Sequence, residues 1–544
     1  MEFRYAISLI YEAHLPFVKE YNREDDLSYT SEEVRYFQFI SETLLPLLEV
    51  LGRLESDHVH FRLALVISPI LCQMLTDEHL HKKYLRYIDK QIEFGRQELE
   101  RISSSNGSKE NEEIYKLIMS NYNRIVDRRI AFTERYEKNV LKAFDFYRRK
   151  GKIEILATSA THAYLPFLSH NHESLQAQME TPAAVYRRYF GGNSHGFWLP
   201  SLGWTSALEP YLKAYNYTYT ILESHGLVLG EPTPAKGCFY PAKTPKGTFF
   251  FAKDHYAEQA LKAAATDDLY LNNHLDAGYE LPAEIVRSFL SSEGERHKTG
   301  YKYWSRKNSF PNGKSENRQG HIYNPQAASD RVTLHTRTFL ENILGRLEEA
   351  SKHMGEIPIS INTYNAGKYG HTWHEGPQFI ETLFRMAAGY RDVKFVCPSE
   401  YLFKQEASSI QVVSPEFSSC GVNGYAENWL DVSNDWIYRH LFRAMERMSE
   451  LAERFPDDTG LNERALNQAA REVLLAQSSD WPALLQKQES AEFARHRAEN
   501  SLRNFTTIYE ALGSNYISTE WLTTLERKHN LFPNINYRVF RRKK

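Results

Sequence analysis

What most constrains the fold is a rhythm in the first half of the chain, short apolar runs separated by helical stretches. Arg4–Ile10 reads as a strand, and Tyr11–Pro16 as the loop that ends it. Glu32–Leu51 has helical spacing, and Leu63–Ser68 is strand-like again before a proline turn at Pro69. The rhythm resumes at Lys152–Thr158, where Ile153, Ile155 and Ala157 alternate, and Phe249–Lys253 and Pro358–Tyr364 are further strand candidates. Strands that alternate with helices pack as a mainly parallel sheet with helical layers, an α/β architecture.

Two stretches break the rhythm. His81–Lys150 is charged and helical, and Ser103–Ser108 divides it into a hairpin. In its second arm Ile118, Ile125, Phe132, Tyr136, Val140 and Phe144 fall on one face. From Asn434 onward the pattern is almost wholly helical, over Tyr438–Ala452, Leu461–Ala476, Ala491–Leu512 and Thr519–Lys528. A chain of 544 residues exceeds one small core. The expected division is a catalytic-type α/β domain from 1–80 and 151–400, a helical insertion at 81–150, a groove-lining linker at 401–433 and an α-helical domain at 434–544. Thr299–Tyr323 has the Lys, Arg, Asn, Gly and Ser content of a loop and is a candidate lid.

Charge and cysteine usage exclude several classes. With 66 basic and 69 acidic side chains the net charge is −3, which offers no field to recruit nucleic acid or a membrane surface. The basic end Arg541–Lys544 reads as a solvated tail. Four scattered cysteines, Cys72, Cys238, Cys397 and Cys420, fit reduced thiols in a cytoplasmic protein. MEFRYAISLIYEAHLPF reads as a first strand, not a signal peptide, and no stretch is apolar for long enough to span a bilayer. No Walker loop, dinucleotide fingerprint or zinc spacing is present, so no cofactor and no metal are expected.

The chemistry-bearing stretches are HGFWLPSLGW around Trp198 and TYNAGKYGHTWHEGP around His371. Both resemble signature segments of glycoside hydrolase family 57, in its branch of 1,4-α-glucan branching enzymes. There the first normally reads WLPE and supplies a glutamate nucleophile, and the second normally reads YDAE and supplies an aspartate acid/base. Here Ser201 and Asn365 stand at those positions. Retaining glycosidases use two carboxyl groups about 5 Å apart. A serine without a base is a poor nucleophile, and an amide neither gives nor takes a proton near neutrality.

The resemblance runs almost end to end. Glu12-Ala13-His14-Leu15-Pro16 matches a segment usually reading HAHLP, with Glu12 in place of the first histidine. IEILATSATHAYLPFL contributes His162, and LLAQSSDWPALL contributes Asp480 and Trp481. ENWLDVSNDWIYRH carries Trp429, Cys420 departs from a usual tryptophan just before it, and FPNINYRVF closes the match. The resemblance implies an incomplete (β/α)7 barrel with a helical insertion and a C-terminal all-α domain. It implies His14, His162, Trp198, Trp204, His371, Trp373, Trp429, Asp480 and Trp481 as substrate-binding residues, with Trp481 a stacking platform for glucose. His14, His162 and His371 could meet at a metal, but the aspartate ligands such a site needs are not evident.

Three functional expectations follow. The leading one is a catalytically silent binder of α-1,4-glucan or a glycogen-like polysaccharide, with an active glycogen enzyme as a candidate protein partner. The second is an enzyme that transfers or hydrolyses α-glucan through a substitute carboxylate, with Glu12 the candidate. The third is a structural protein whose groove is closed.

Overall fold

The computed structural model describes residues 3–104, 108–192, 194–290, 294–308 and 321–542. The centre of the expected hairpin break (105–107), nearly half of the candidate lid (309–320) and Lys543–Lys544 lie outside them. The strands are β1 (Tyr5–Ala13), β2 (Leu63–Ile67), β3 (Ile153–Thr158), β4 (Gly196–Trp198), β5 (Tyr219–Leu222), β6 (Ala242–Lys243), β7 (Phe249–Ala252), β8 (Ile359–Asn365), β9 (Val393–Phe395) and β10 (Gln411–Val412). They form one sheet in the order β10-β6-β7-β5-β4-β3-β2-β1-β8, with β9 also on β1. Every pairing is parallel except β6 with β7.

Seven of these strands (β1 to β5, β7 and β8) curl toward a barrel. Its last seam is not a ladder. Just past β7, Lys253 makes one parallel bridge to Ile361 of β8, and the Asp254 amide donates to the Ile361 carbonyl at 2.7 Å. The barrel is therefore incomplete, as the sequence implies, and its opening lies between β7 and β8.

Side chains alternate across each strand. Ala6 and Ile10 of β1, Ala64 and Val66 of β2, Leu156 of β3, Trp198 of β4, Tyr219 and Ile221 of β5, Phe251 of β7 and Ile359 and Ile361 of β8 share one inner core. Ile7, Leu9, Tyr11, Leu63, Leu65 and Ile67 pack outward against the helices. Extending the inner-face period brings Glu12 and His14 (β1), Ser68 (β2), Thr158 (β3), Glu223 (β5), Lys253 (β7) and Asn365 (β8) to the rim at the strands' C-terminal ends, where barrels of this kind collect their chemistry.

One boundary differs from the sequence reading in a way that matters. Tyr11–Pro16 was expected to be loop, but β1 runs on to Ala13 because β8 pairs with it as far as Glu12, whose partner is Asn365. The helical stretch from residue 81 also divides further. Glu78–Ser103 and Lys109–Ile130 form the hairpin, whereas Val140–Arg149 is a separate helix packed on β3. Ile118, Phe132, Val140 and Phe144 are all buried, so the apolar face is continuous although the backbone breaks between Ile130 and Val140.

The helices Trp436–Arg454, Gly460–Ala476, Asp480–Lys487, Ala491–Ser514 and Thr519–Lys528 form the C-terminal bundle. None of the described helices is long and apolar enough to cross a membrane. Gly370, just beyond β8, shows how tightly the rim loop is fixed. Its φ is +113°, and a Cβ there would lie 1.6 Å from the Glu42 carbonyl oxygen. Gly370→Ala should cost roughly 2 kcal/mol or more in urea unfolding. Gly345→Ala, in the middle of the helix Pro325–Ser351 with nothing within 4 Å, should gain up to about 1 kcal/mol in the same assay.

Candidate functional site

The rim is organised around two parallel imidazoles. His14 follows β1 and His162 follows β3, and their rings stack with centroids 3.9 Å apart and planes 7° from parallel. His162 adopts φ +54°, a left-handed turn that directs its ring inward. Each histidine meets an acid. His162 Nε2 lies 2.7 Å from Glu12 Oε1, and the Trp198 indole N–H donates to the same oxygen at 2.6 Å. His14 Nε2 lies 3.1 Å from both Asp480 oxygens, with Nδ1 2.8 Å from Ser68 Oγ. Glu12 and Asp480 retain side-chain exposures of 15% and 14%, enough to present an edge to solvent.

The C-terminal bundle reaches the rim just past β3. Ala163 pairs with Ser478 in an antiparallel bridge, and the Ser479 hydroxyl lies 3.1 Å from His162 Nδ1. Thr161 Oγ1 donates to the Leu474 carbonyl, and Gln178 Nε2 bridges Thr161 Oγ1 and Gln477 Oε1. Asp480 is braced by the Ser478 hydroxyl at 2.6 Å.

Two imidazolium ions cannot face each other cheaply at this distance, so the two rings are driven apart in their titration. Burial pushes His162 down, but the charge and hydrogen bond of Glu12 win and hold it above the usual imidazole range. Burial and the charge of His162 leave His14 below that range despite Asp480. Burial pushes Glu12 up, and His162, His14 and the Trp198 bond bring it below the usual carboxylate range. Asp480 is likewise raised by burial and brought down further by the two histidines and Ser478.

His14, His162 and Asp480 place ligand-type atoms within 4.8 Å of one another, so an aspartate does join two of the histidines, contrary to the sequence reading. Yet the imidazole lone pairs lie in two nearly parallel ring planes. A cation bound to both would sit well outside each plane, so this arrangement does not converge on a metal. His371 is not part of it. Its Nδ1 is 2.9 Å from Glu42, which also takes Lys302 at 3.3 Å.

The two motif positions that lack acids are both accessible. Asn365 is exposed at the end of β8, and its Oδ1 accepts the Gly367 amide at 2.9 Å. Ser201 is half-buried and left-handed, φ +58°, as is Leu202 after it, φ +51°. The Ser201 carbonyl accepts the Cys420 amide at 2.8 Å. The Cys420 thiol, where a tryptophan was expected, is pushed up to about 12 by burial and by the nearby Glu223, so it is no nucleophile.

The aromatic residues fare differently from expectation. Trp481 is only 1% exposed and donates to the Leu475 carbonyl, packed against Phe493. It is core, with no face for a glucose ring, because the helix Asp480–Lys487 turns it into the bundle. Trp204 and Trp373 are buried at 1% and 2%, and Trp429 stacks on Tyr164 with rings 4.9 Å apart. Of the expected tryptophans, Trp198 alone is tied to a rim acid.

Sequence reasoning missed Glu223, Lys253 and Glu258. Lys253 Nζ lies 3.0 Å from Glu223 and 2.5 Å from Glu258. The signal was present, since Glu223 and Lys253 continue the inner-face alternation of β5 and β7. A cavity of about 1060 Å³ lies elsewhere, between the helix Leu45–Ser56 and the hairpin, lined by Arg53, Arg124, Arg128 and Tyr136. It contains none of the motif residues.

Comparison with known proteins agrees with this fold. Residues 8–262 match the sequence profile of glycosyl hydrolase family 57, and residues 440–540 that of the C-terminal region of 1,4-alpha-glucan branching enzymes. The crystal structure of the alpha-amylase AmyC from Thermotoga maritima is 30% identical, with a TM-score of 0.89 over 99% of this chain and 100% of that one. The chain belongs to glycoside hydrolase family 57. Within the family, the 1,4-alpha-glucan branching enzyme TK1436 of Thermococcus kodakarensis is 24% identical over 97% of this chain and 77% of its own length. The family 57 branching enzyme of Pyrococcus horikoshii superposes with a TM-score of 0.86 at 23% identity, over 99% of this chain and 97% of that one. That likeness establishes a shared fold.

The Glu12–His162 pair gives a pH-dependent stability. Glu12 is lowered from an ordinary 4.5 and His162 raised from 6.5, so the pair's contribution is fully present between those values. It is lost as pH falls through the lowered Glu12 value and as pH rises through the raised His162 value. Wild type should therefore exceed His162→Asn by about 3–5 kcal/mol in that window. The gap should narrow on both sides in urea titrations, and a gap independent of pH would show that the pair is not ionic. In Glu12→Gln the His162 ring should titrate at lower pH than in wild type by NMR.

Proposed function

We propose that this family 57 protein binds α-1,4-glucan in its barrel mouth and does not cleave or transfer it, in the cytoplasm. The observation that carries the reading is the state of the carboxylates at the rim. Ser201 and Asn365 supply neither a carboxylate nucleophile nor an acid. Glu12 is held ionised by His162, Asp480 is held ionised beside His14, and Glu223 is ion-paired with Lys253. A retaining glycosidase needs one carboxyl that enters the reaction protonated and gives its proton to the leaving oxygen. Among the described residues, the glutamates raised above their usual range are Glu33, Glu154 and Glu375. Glu33 is locked on Lys83, Glu154 bonds Tyr219 and Ser399 on the far half of the sheet, and Glu375 takes the Leu271 amide. None of the three is among the rim residues.

Binding would use what the rim still presents, the edges of Glu12 and Asp480 toward sugar hydroxyls, with Trp198, His14 and His162 holding those acids in place. The relatives named branching enzyme and alpha-amylase support an α-glucan as the ligand class. An active glycogen enzyme beside the bound polysaccharide is the protein partner this reading implies.

One observation favours a second reading, residual turnover. Glu12 is the register neighbour of Asn365, so a carboxylate stands one strand from the missing acid/base. Incubation with amylose, followed by iodine staining and branch-point analysis, separates the two. The expected result is retarded migration in glycogen-containing native gels with no turnover. Turnover abolished by Glu12→Gln would overturn silence and establish the second reading. Ser201→Glu combined with Asn365→Asp should raise activity at least about tenfold over wild type, since it restores both roles to a backbone that still presents them.

A further inference from the structure

The segment from Ser414 to Trp436 crosses the rim between the Ser201 turn and the helix Ser224–Val228. It is clamped along its length. The Glu416 amide donates to the Gly226 carbonyl at 2.9 Å, and Trp204 and Ser418 exchange main-chain bonds. The Cys420 amide holds the Ser201 carbonyl, and His225 Nε2 lies 3.0 Å from the Gly424 carbonyl. Gly226 is obligatory for this approach, because a Cβ there would lie 2.2 Å from Ser418 Oγ.

On this fixed scaffold two aromatic rings face solvent. Phe417 is 36% exposed and Tyr425 49% exposed. Their rings are 18° from parallel with centroids 6.4 Å apart, and the edge of Tyr425 is further fixed by His225 at 5.3 Å. Exposed apolar surface on an immobilised loop costs hydration and contributes nothing to the core, which marks a contact surface. Flat rings with electron-rich faces suit the C–H faces of pyranose rings. The polar side chains beside them, Asn423 and Glu427, suit the equatorial hydroxyls of such a chain. The Glu427 carboxylate is itself set by the Tyr425 amide at 3.1 Å.

We propose that Phe417 and Tyr425 form a glucan-stacking platform outside the barrel mouth, which holds a run of α-1,4-linked glucosyl units as the chain leaves the Ser201 side of the rim. The inference rests on the glucan-binding reading above and adds to it the residues that carry affinity. Continuity with the rim selects the ligand. Phe417 is followed directly by Ser418, which is bonded to Trp204, and the same turn reaches Ser201 through Cys420.

The test is affinity electrophoresis in glycogen-containing native gels, with titration of maltoheptaose by calorimetry as a second readout. Wild type should be retarded. Phe417→Ala with Tyr425→Ala should lose affinity by about tenfold or more, with the fold retained by circular dichroism. The aromatic replacements Phe417→Tyr and Tyr425→Phe should retain binding. If wild type binds and the double alanine variant binds equally, the platform is overturned while the glucan reading stands. If wild type binds neither glycogen nor maltoheptaose, both fall.

Discussion

One oxygen atom organises the mouth of this barrel. Glu12 Oε1, at the end of β1, takes hydrogen bonds from His162 beyond β3 and from Trp198 at the end of β4. It thus ties three strands together across the inner face. Through His162 the tie continues to Ser479 and the C-terminal bundle. The second tie, His14 to Asp480, runs parallel to it. Burial alone would raise both acids, and the two histidines bring both below the usual carboxylate range, with the low dielectric around the pair making that coupling strong. Domain docking and charge state are therefore one arrangement.

Much of this was legible in the sequence, for reasons that can be stated. β2 reads correctly as a short continuous apolar run before a proline turn, and β3 and β8 because their apolar residues alternate. The C-terminal helices read correctly because the long 3.6-residue pattern is hard to mistake. β4 and β5 escaped notice, being three and four residues long and too short for any period to show. The extent of β1 was misjudged because nothing local distinguishes Tyr11–Ala13 from a loop. Its partner on β8 lies more than three hundred residues away.

The candidate site was legible as a set of motifs but not as a geometry. His14, His162 and Asp480 were named separately, and only folding brings them together. Trp481 shows the opposite failure. A tryptophan after an aspartate reads equally well as a sugar platform or as a core residue. The helix that starts at Asp480 decides between them by rotating the indole into the bundle. Glu223 and Lys253 lacked any motif, yet strand alternation alone places both on the inner face once β5 and β7 are known.

Ser201 and Leu202 keep two successive left-handed residues, neither of them glycine, at a cost of the order of 1–2 kcal/mol each. That bend fixes where the Ser201 carbonyl points, and the crossing segment hangs from that carbonyl through Cys420. The bend works as an anchor bolt: any relaxation of the main chain at Ser201 would be felt by the loop above it.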